Sequence, residues 1–347
     1  MNIVYLIGNG FDINLGLKTR YVDFYNHYLD ILHDDPLIEE AKRSIKIYLQ
    51  KVKAKRKLNM DEVNWADLEL ALGEYTENFQ NKREFDKVFR DIAKELSLYL
   101  QGEEQKYVIT NEKKGALKSC FCNPFNDYLS EVDVRSILQT YKNLREVWRT
   151  YIISFNYTTT LEKLLGWNNE RMNTGTHIEA SSVWIDGVQH IHGYTNRRMV
   201  MGVNDESQIK NKTLLSNQYF RNSIIKKECN VAQATLHVQQ CSDYIRHAQM
   251  FFMFGLSIGD TDKDWWNLIA NTMYTNGAPL IIYVRSDRDV TGIFSFDRQE
   301  VIDETKELFL SKLSIDEEKK QAIRERIYVA INSNMFNVEP DNQSVAG

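Results

Sequence analysis

The chain of 347 residues carries 43 Lys and Arg against 48 Asp and Glu, a formal charge of −5, and 43% of its residues are hydrophobic. That apolar content supplies a core and excludes a disordered chain, which lacks the buried surface to offset chain entropy. The mild negative charge argues against a bulk nucleic-acid binder, and no run of about 18 apolar residues is present to cross a membrane. The length predicts one large domain or two interleaved ones. The opening, MNIVYLIGNGFDINLG, has neither a basic leader nor a small-residue cleavage site, so no signal peptide and a cytoplasmic setting are expected. Cys120 and Cys122 are too close for a zinc half-site, and Cys229 and Cys241 stand singly, so reduced thiols without a metal role are expected.

In chain order, residues 2–7 form a short β-branched apolar run stopped by Gly8-Asn9-Gly10, the mark of a buried parallel strand. Helical periodicity follows near 20–33, 37–57, 61–80 and 83–101. The second of these is basic, from Lys42 and Arg43 to Lys57, and reads as a solvated face. Residues 111–133, with Gly115 and Asn123-Pro124, read as an irregular loop, and a helix is expected over 134–148. Residues 151–156 predict a second buried strand. Ser182–Ile185 and Val188–Ile191 flank Asp186-Gly187, which predicts a hairpin. Helices near 212–227 and 231–247, a strand over 249–254, a helix near 261–274, a strand over 279–284, helices over 297–310 and 315–326 and a strand over 327–331 complete the series. Strands alternating with helices predict an α/β fold, a Rossmann-like parallel sheet flanked by helices. The expected division is an α/β nucleotide-binding domain of residues 1–17 plus 149–333, an inserted helical subdomain over 18–148, and a flexible tail over 334–347.

In such sheets ligands bind beyond the carboxyl ends of the strands, and the unusual residues fall there. Ile7-Gly8-Asn9-Gly10-Phe11-Asp12 permits a sharp turn and close approach to a ligand, but is neither a Gly-x-Gly-x-x-Gly fingerprint nor a P-loop. Asp12 repels phosphate; it suits a ribose hydroxyl or a helix cap. Ser154-Phe155-Asn156-Tyr157-Thr158-Thr159-Thr160 puts polar side chains directly after an apolar strand, as the floor of a polar pocket or as helix caps. His190-Ile191-His192-Gly193 places two histidines at a spacing that shares one strand face. A third ligand is missing nearby, so a general base is expected rather than a metal site. Gly255-Leu256-Ser257-Ile258-Gly259-Asp260 spells a nucleophile elbow, yet no His follows His247, so the Ser-acid-His order of that fold is not met. Ser257 and Asp260 instead suit nucleotide hydroxyls.

These blocks, with Gly16-Leu17-Lys18-Thr19-Arg20-Tyr21, Asp23-Phe24 and Trp65-Ala66-Asp67-Leu68-Glu69, resemble in kind and order the AbiH-like abortive phage infection family over residues 3–266. They are also distantly similar to sirtuins. Gly8-Asn9-Gly10 matches the sirtuin Gly-Ala-Gly, Phe155-Asn156-Tyr157-Thr158 its Gln-Asn-x-Asp, His192-Gly193 its His-Gly, and Gly255-Leu256-Ser257 its Gly-Thr-Ser. Thr158 replaces the sirtuin aspartate, Tyr25 stands where an arginine follows Asp-Phe, and the four-cysteine zinc module is missing.

The resemblance implies a sirtuin-like domain that hydrolyses NAD at the nicotinamide–ribose bond in antiphage defence. Asn156 would hold the ribose or the attacking water, and His192 would take a proton. Gly8, Asn9 and Gly10 would line the pyrophosphate, with Phe11, Asp12, Thr19, Tyr157 and Gly255 completing the cofactor site and Ser257 and Asp260 on the adenosine half. No metal is expected. Partners are a nucleotide or dinucleotide, with a phage-derived trigger and self-association left open. One alternative is a nucleotide sensor without turnover. Another is a metal-dependent nuclease using Asp12, Asp67, Glu69, Asp260 and Asp262, although Asp67 and Glu69 would splay by about 200° on a helix.

Overall fold

The computed structural model describes residues 1–56, 64–125, 129–140, 146–177, 180–233, 236–288, 290 and 297–339. The elements run β1 (Asn2–Ile7), α1 (Gly10–Asn14), α2 (Tyr21–Asp30), α3 (Pro36–Arg56), α4 (Trp65–Tyr75), α5 (Lys82–Lys106), α6 (Asn111–Cys122), α7 (Glu131–Thr140), β2 (Trp148–Ser154), α8 (Thr160–Leu165), β3 (Met172–His177) and β4 (Ala180–His190). They continue with α9 (Gln218–Ile224), α10 (Lys226–Ala232), α11 (His237–Arg246), β5 (Met250–Phe254), α12 (Lys263–Asn276), β6 (Leu280–Val284), α13 (Asp297–Ser311), α14 (Glu317–Arg324) and β7 (Ile327–Ile331).

The strands form one sheet in the order β3-β4-β2-β1-β5-β6-β7. Only the β3–β4 pairing is antiparallel. β1 is central because both its faces are apolar. Ile3, Tyr5 and Ile7 pack into one hydrophobic cluster with Phe121, Trp148 and Phe252, while Val4 and Leu6 pack into another with Phe251, Trp266 and Ile282. This two-sided burial is what a parallel sheet demands of its strands. A third cluster joins Tyr21, Phe24, Tyr28 and Phe85 to Met201, Val203 and Phe220. The helical packing is therefore not confined to residues 18–148; it takes in the segment after β4.

Several expectations are corrected. Residues 111–122 are helical: the Thr110 side chain caps α6 by accepting from the Lys113 N–H, and Leu117, Phe121 and Cys122 bury its inner face. The helix expected over 134–148 is α7, which starts at Glu131, while Trp148 already belongs to β2; residues 141–145 lie outside the described residues. The two helices expected over 212–247 are three. Lys42, placed on a solvated face, is buried, and its ammonium bonds the Ile31 carbonyl and Glu39.

The expected hairpin at Asp186-Gly187 is a bulge inside an unbroken β4. The pairing steps from Thr150↔Ile185 to Tyr151↔Gly187 and leaves Asp186 as the extra residue. Its carboxylate accepts from Arg149 Nε and Arg171 Nε, each at 2.7 Å. A Cβ on Gly187 would stand 2.5 Å from the Tyr244 hydroxyl, so a larger residue there would displace the end of that side chain. Nor is the start of the tail loose. Met335 and Phe336 are fully buried and Val338 nearly so. The Phe336 ring meets Phe11 and Phe254 edge-on, at 5.6 and 4.9 Å between centroids. Residues 340–347 lie outside the described residues.

Phe336→Ala is expected to destabilise the protein by about 3–5 kcal/mol through the cavity it leaves. Urea unfolding of the two proteins measures this, and a loss below about 1 kcal/mol would show that the segment does not seal the core.

Candidate functional site

The ends of β1, β2, β4 and β5 are level, since Ile7 pairs with both Ser154 and Phe254, and Ser154 pairs with His190. The strand after β1 lies on one side of it and β5 on the other, so the chain direction across the sheet reverses at β1. A crevice opens at such a switch point. Here it is a cavity of about 350 Å³ lined by the β1, β2, β4 and β5 exits together with α4 and α10.

Two glycines set its floor. The Gly10 N–H donates to the Gly255 carbonyl at 2.9 Å. A Cβ on Gly10 would stand 2.4 Å from the Gly255 Cα, and one on Gly255, whose φ is +67°, would stand 2.6 Å from the Gly10 Cα. The two exits touch backbone to backbone, which only glycine permits. Ile258, nearly fully buried beside the cavity, takes a φ of +50°. For a β-branched residue this is a strained conformation, costing on the order of 1–3 kcal/mol and typical of ligand-clamping loops.

Around this floor the polar side chains are tied from behind. Asn9 Nδ2 donates to the Thr19 carbonyl at 2.7 Å, and Trp65 Nε1 donates to the same oxygen at 3.2 Å. Asn156 Nδ2 donates to the Gly8 carbonyl at 3.1 Å, and the Asn156 carbonyl contacts His190 Nδ1 at 2.7 Å. His190 Nε2 lies 2.5 Å from Glu162. Tyr157 donates its hydroxyl to the Val200 carbonyl at 3.0 Å, and burial holds that phenol well above its ordinary pKa. Thr158 Oγ1 donates to Asp12 Oδ2 at 2.5 Å. Burial pushes the Asp12 carboxyl up to about 7; the Thr158 hydroxyl opposes this, and the nearby Glu104 and Glu162 charges add to it.

A second set of lining side chains is ionic. Lys226 Nζ lies 2.9 Å from Glu69 Oε2, 3.0 Å from Asp262 Oδ1 and 3.3 Å from Thr261 Oγ1. His192 Nε2 lies 3.0 Å from the same Asp262 oxygen. Burial alone would lower the Lys226 pKa, but Asp262 and Glu69 outweigh it and raise it. Burial would likewise raise Asp262, but Lys226 and His192 hold it well below the usual carboxylate range.

Of the residues expected from the sequence, Asn9, Gly10, Asp12, Thr19, Asn156, Tyr157, His192, Gly255 and Ser257 line the cavity. Three are placed elsewhere. Gly8 is packed against the Gly255 carbonyl, 2.5 Å from where its Cβ would lie. Phe11 faces the sheet core, fully buried. Asp260 pairs with Lys312 at 3.0 Å away from the cavity. His190 and His192, expected to share a face, part because β4 ends at His190: one turns to Glu162, the other to Asp262. Of the carboxylates considered for a metal, Asp67 sits in the cap of α4, Asp12 on Thr158 and Asp260 on Lys312, while Glu69 and Asp262 share Lys226. Among the described residues, no group of three or more His, Cys, Asp or Glu is placed to hold a metal ion.

Lys226 was not singled out in the sequence. It is one lysine among many on a helical segment, and only the fold brings it to Glu69 and Asp262. Thr19 Oγ1, Asp12 Oδ1, Asn156 Oδ1 and the ring nitrogens of His192 are buried without a well-aligned hydrogen-bond partner.

No helix among the described residues is long and apolar enough to cross a membrane. No curated protein matches the chain. The family model described as Bacteriophage abortive infection AbiH matches residues 4–283, a span that runs from β1 into β6 and contains every residue lining the cavity. The chain belongs to the bacteriophage abortive infection AbiH family.

Proposed function

We propose that the cavity is a nucleotide site in which NAD is held and cleaved by water at its nicotinamide–ribose bond, as the chemistry of an antiphage abortive-infection protein. The family supports the antiphage role. The observation that carries the chemistry is the set of four buried polar side chains, Asp12, Thr19, Asn156 and His192, which meet at one cavity with hydrogen-bonding atoms unmatched. Each such atom costs about 1–3 kcal/mol when left unpaired. A ligand rich in hydroxyls and amide groups would satisfy them together. Numbered among themselves, the six parallel strands take the order 3-2-1-4-5-6, which is that of dinucleotide-binding sheets with their crevice at the first and fourth strands. The likeness of the motif blocks to sirtuins favours NAD among nucleotides.

Cleavage of a glycosidic bond passes through an oxocarbenium-like transition state, whose positive ribose is stabilised by nearby acceptors. Asn156, fixed by its bond to the Gly8 carbonyl, offers Oδ1 to the ribose or the attacking water. His192 takes the proton that water loses. Asp12, with a carboxyl that binds a proton near neutrality, can donate to a ribose hydroxyl as well as accept from one. The burial of His192 favours a second reading, a sensor that binds a nucleotide without turning it over.

Chromatography of NAD incubated with purified protein is expected to show nicotinamide and ADP-ribose, with Asn156→Ala and His192→Ala each slower by about a hundredfold or more. Failure to bind or cleave NAD and related dinucleotides overturns the proposal. Tight calorimetric binding without product supports the sensor.

The raised Asp12 pKa carries a pH dependence of stability. Between the ordinary carboxylate range and about pH 7, the folded protein holds a proton that the unfolded chain releases, so stability falls as pH rises through that window. The facing groups Glu104, Glu162 and His190 are common to both proteins compared. Asp12→Asn removes the burial cost of the anion and is expected to gain about 1–3 kcal/mol on the wild type between pH 5 and pH 8. Urea unfolding at both pH values measures this, and an equal difference at the two would refute it.

A further inference from the structure

His192 sits in an aromatic slot, with the Phe155 ring edge-on at 5.6 Å and the Tyr157 ring at 6.4 Å between centroids. Its Nε2 lies 3.0 Å from Asp262 Oδ1, at hydrogen-bonding distance but with the N–H off the line to the oxygen, and its Nδ1 has no hydrogen-bond partner in the protein. Asp262 is held in turn. Lys226 Nζ reaches the same oxygen at 3.0 Å and Glu69 Oε2 at 2.9 Å, and Glu69 Oε1 accepts the Gly202 N–H at 3.1 Å. Lys226 and Glu69 are both buried. One cation between two carboxylates leaves a single net negative charge, and Asp262 is the member that faces the imidazole.

A neutral imidazole carries one N–H, and an ionised carboxylate can only accept. The nitrogen beside Asp262 must therefore carry the proton. We propose that Asp262 is a positioning residue for His192: it accepts Nε2–H, and so leaves Nδ1 as the proton-accepting nitrogen, with Lys226 and Glu69 fixing the carboxylate in place. This rests on the reading of His192 as the group that takes the proton from water. Lys226 on the same oxygen pins the Asp262 side chain and keeps the carboxylate from drawing the proton to itself. The off-line N–H is consistent with this role, because catalytic hydrogen bonds are often poorly aligned before substrate binds and tighten afterwards. The helical region takes part through Glu69 on α4, which no motif at the strand ends would include.

The test is the tautomer itself. In the 347-residue chain labelled with 15N-histidine, which has seven histidines, long-range proton–nitrogen correlation at neutral pH reports which ring nitrogen is protonated. The His192 signals are those missing from His192→Ala. The expected result is Nε2–H with a bare Nδ1 in the wild type. Asp262→Ala should mix the two tautomers, and Asp262→Asn, which keeps an acceptor oxygen, should restore the wild-type form in part. An Nδ1–H tautomer in the wild type, or an unchanged tautomer in Asp262→Ala, overturns the proposal. If Asp262→Ala does not fold, the wild-type spectrum alone decides. With NAD, Asp262→Ala is expected to lower kcat by about a hundredfold with KM little moved. The two readings separate cleanly. The expected tautomer without NAD cleavage removes the NAD reading and leaves the positioning role, whereas cleavage with an Nδ1–H tautomer does the reverse.

Discussion

The structure depends on a backbone crossing. Where β1 and β5 leave the sheet, Gly10 and Gly255 approach so closely that neither can carry a side chain, and the N–H of one bonds the carbonyl of the other. This contact holds the two exits together at the switch point of the sheet, and the cavity above it follows. From the β1 exit, Asn9 ties the Thr19 segment, and through the Thr19 carbonyl that segment also meets Trp65 of α4. From the β2 exit, Asn156 reaches back to the Gly8 carbonyl. The polar groups of the site are thus anchored to main chain that the glycines place, and several of their remaining polar atoms are buried without a well-aligned hydrogen-bond partner.

Two electrostatically different groups of side chains line this cavity. In one a carboxyl, Asp12, is buried with a hydroxyl for partner and with other carboxylates near it, so its charge is disfavoured. In the other buried charges are matched, lysine between two carboxylates, so the ions persist. Buried charge is tolerated only when paired. A cavity lined by a near-neutral acid and a fixed ionic network can both donate and accept hydrogen bonds near neutral pH.

The strands were legible in the sequence because parallel strands buried on both faces leave uninterrupted apolar runs, as at 2–7 and 249–254. The glycine-bounded exits were legible for the same reason. Other features were hidden by competing signals. Gly115 and Asn123-Pro124 suggested a loop, yet the Thr110 cap and the inward Leu117 and Phe121 make a helix. Asp186-Gly187 has the composition of a turn, but a bulge uses the same residues, and only the pairing with β2 distinguishes them. At the site, side chains adjacent to strand ends were found, whereas the Glu69–Lys226 pair was not, because its partners are 157 residues apart and share no local pattern. Phe11 was misassigned because a motif does not tell which way each of its side chains points.

The Phe336 plug has a consequence for the order in which the molecule is made. β1 is made before the other strands of this sheet, but the Phe11 ring just past β1 and the Phe254 ring at the end of β5 are packed against Phe336, which follows β7. The floor of the cavity is therefore not backed by its full core until synthesis has passed that point. Assembly of the cavity is thus tied by topology to synthesis beyond β7, so the site is complete only after all seven strands of this sheet have been made.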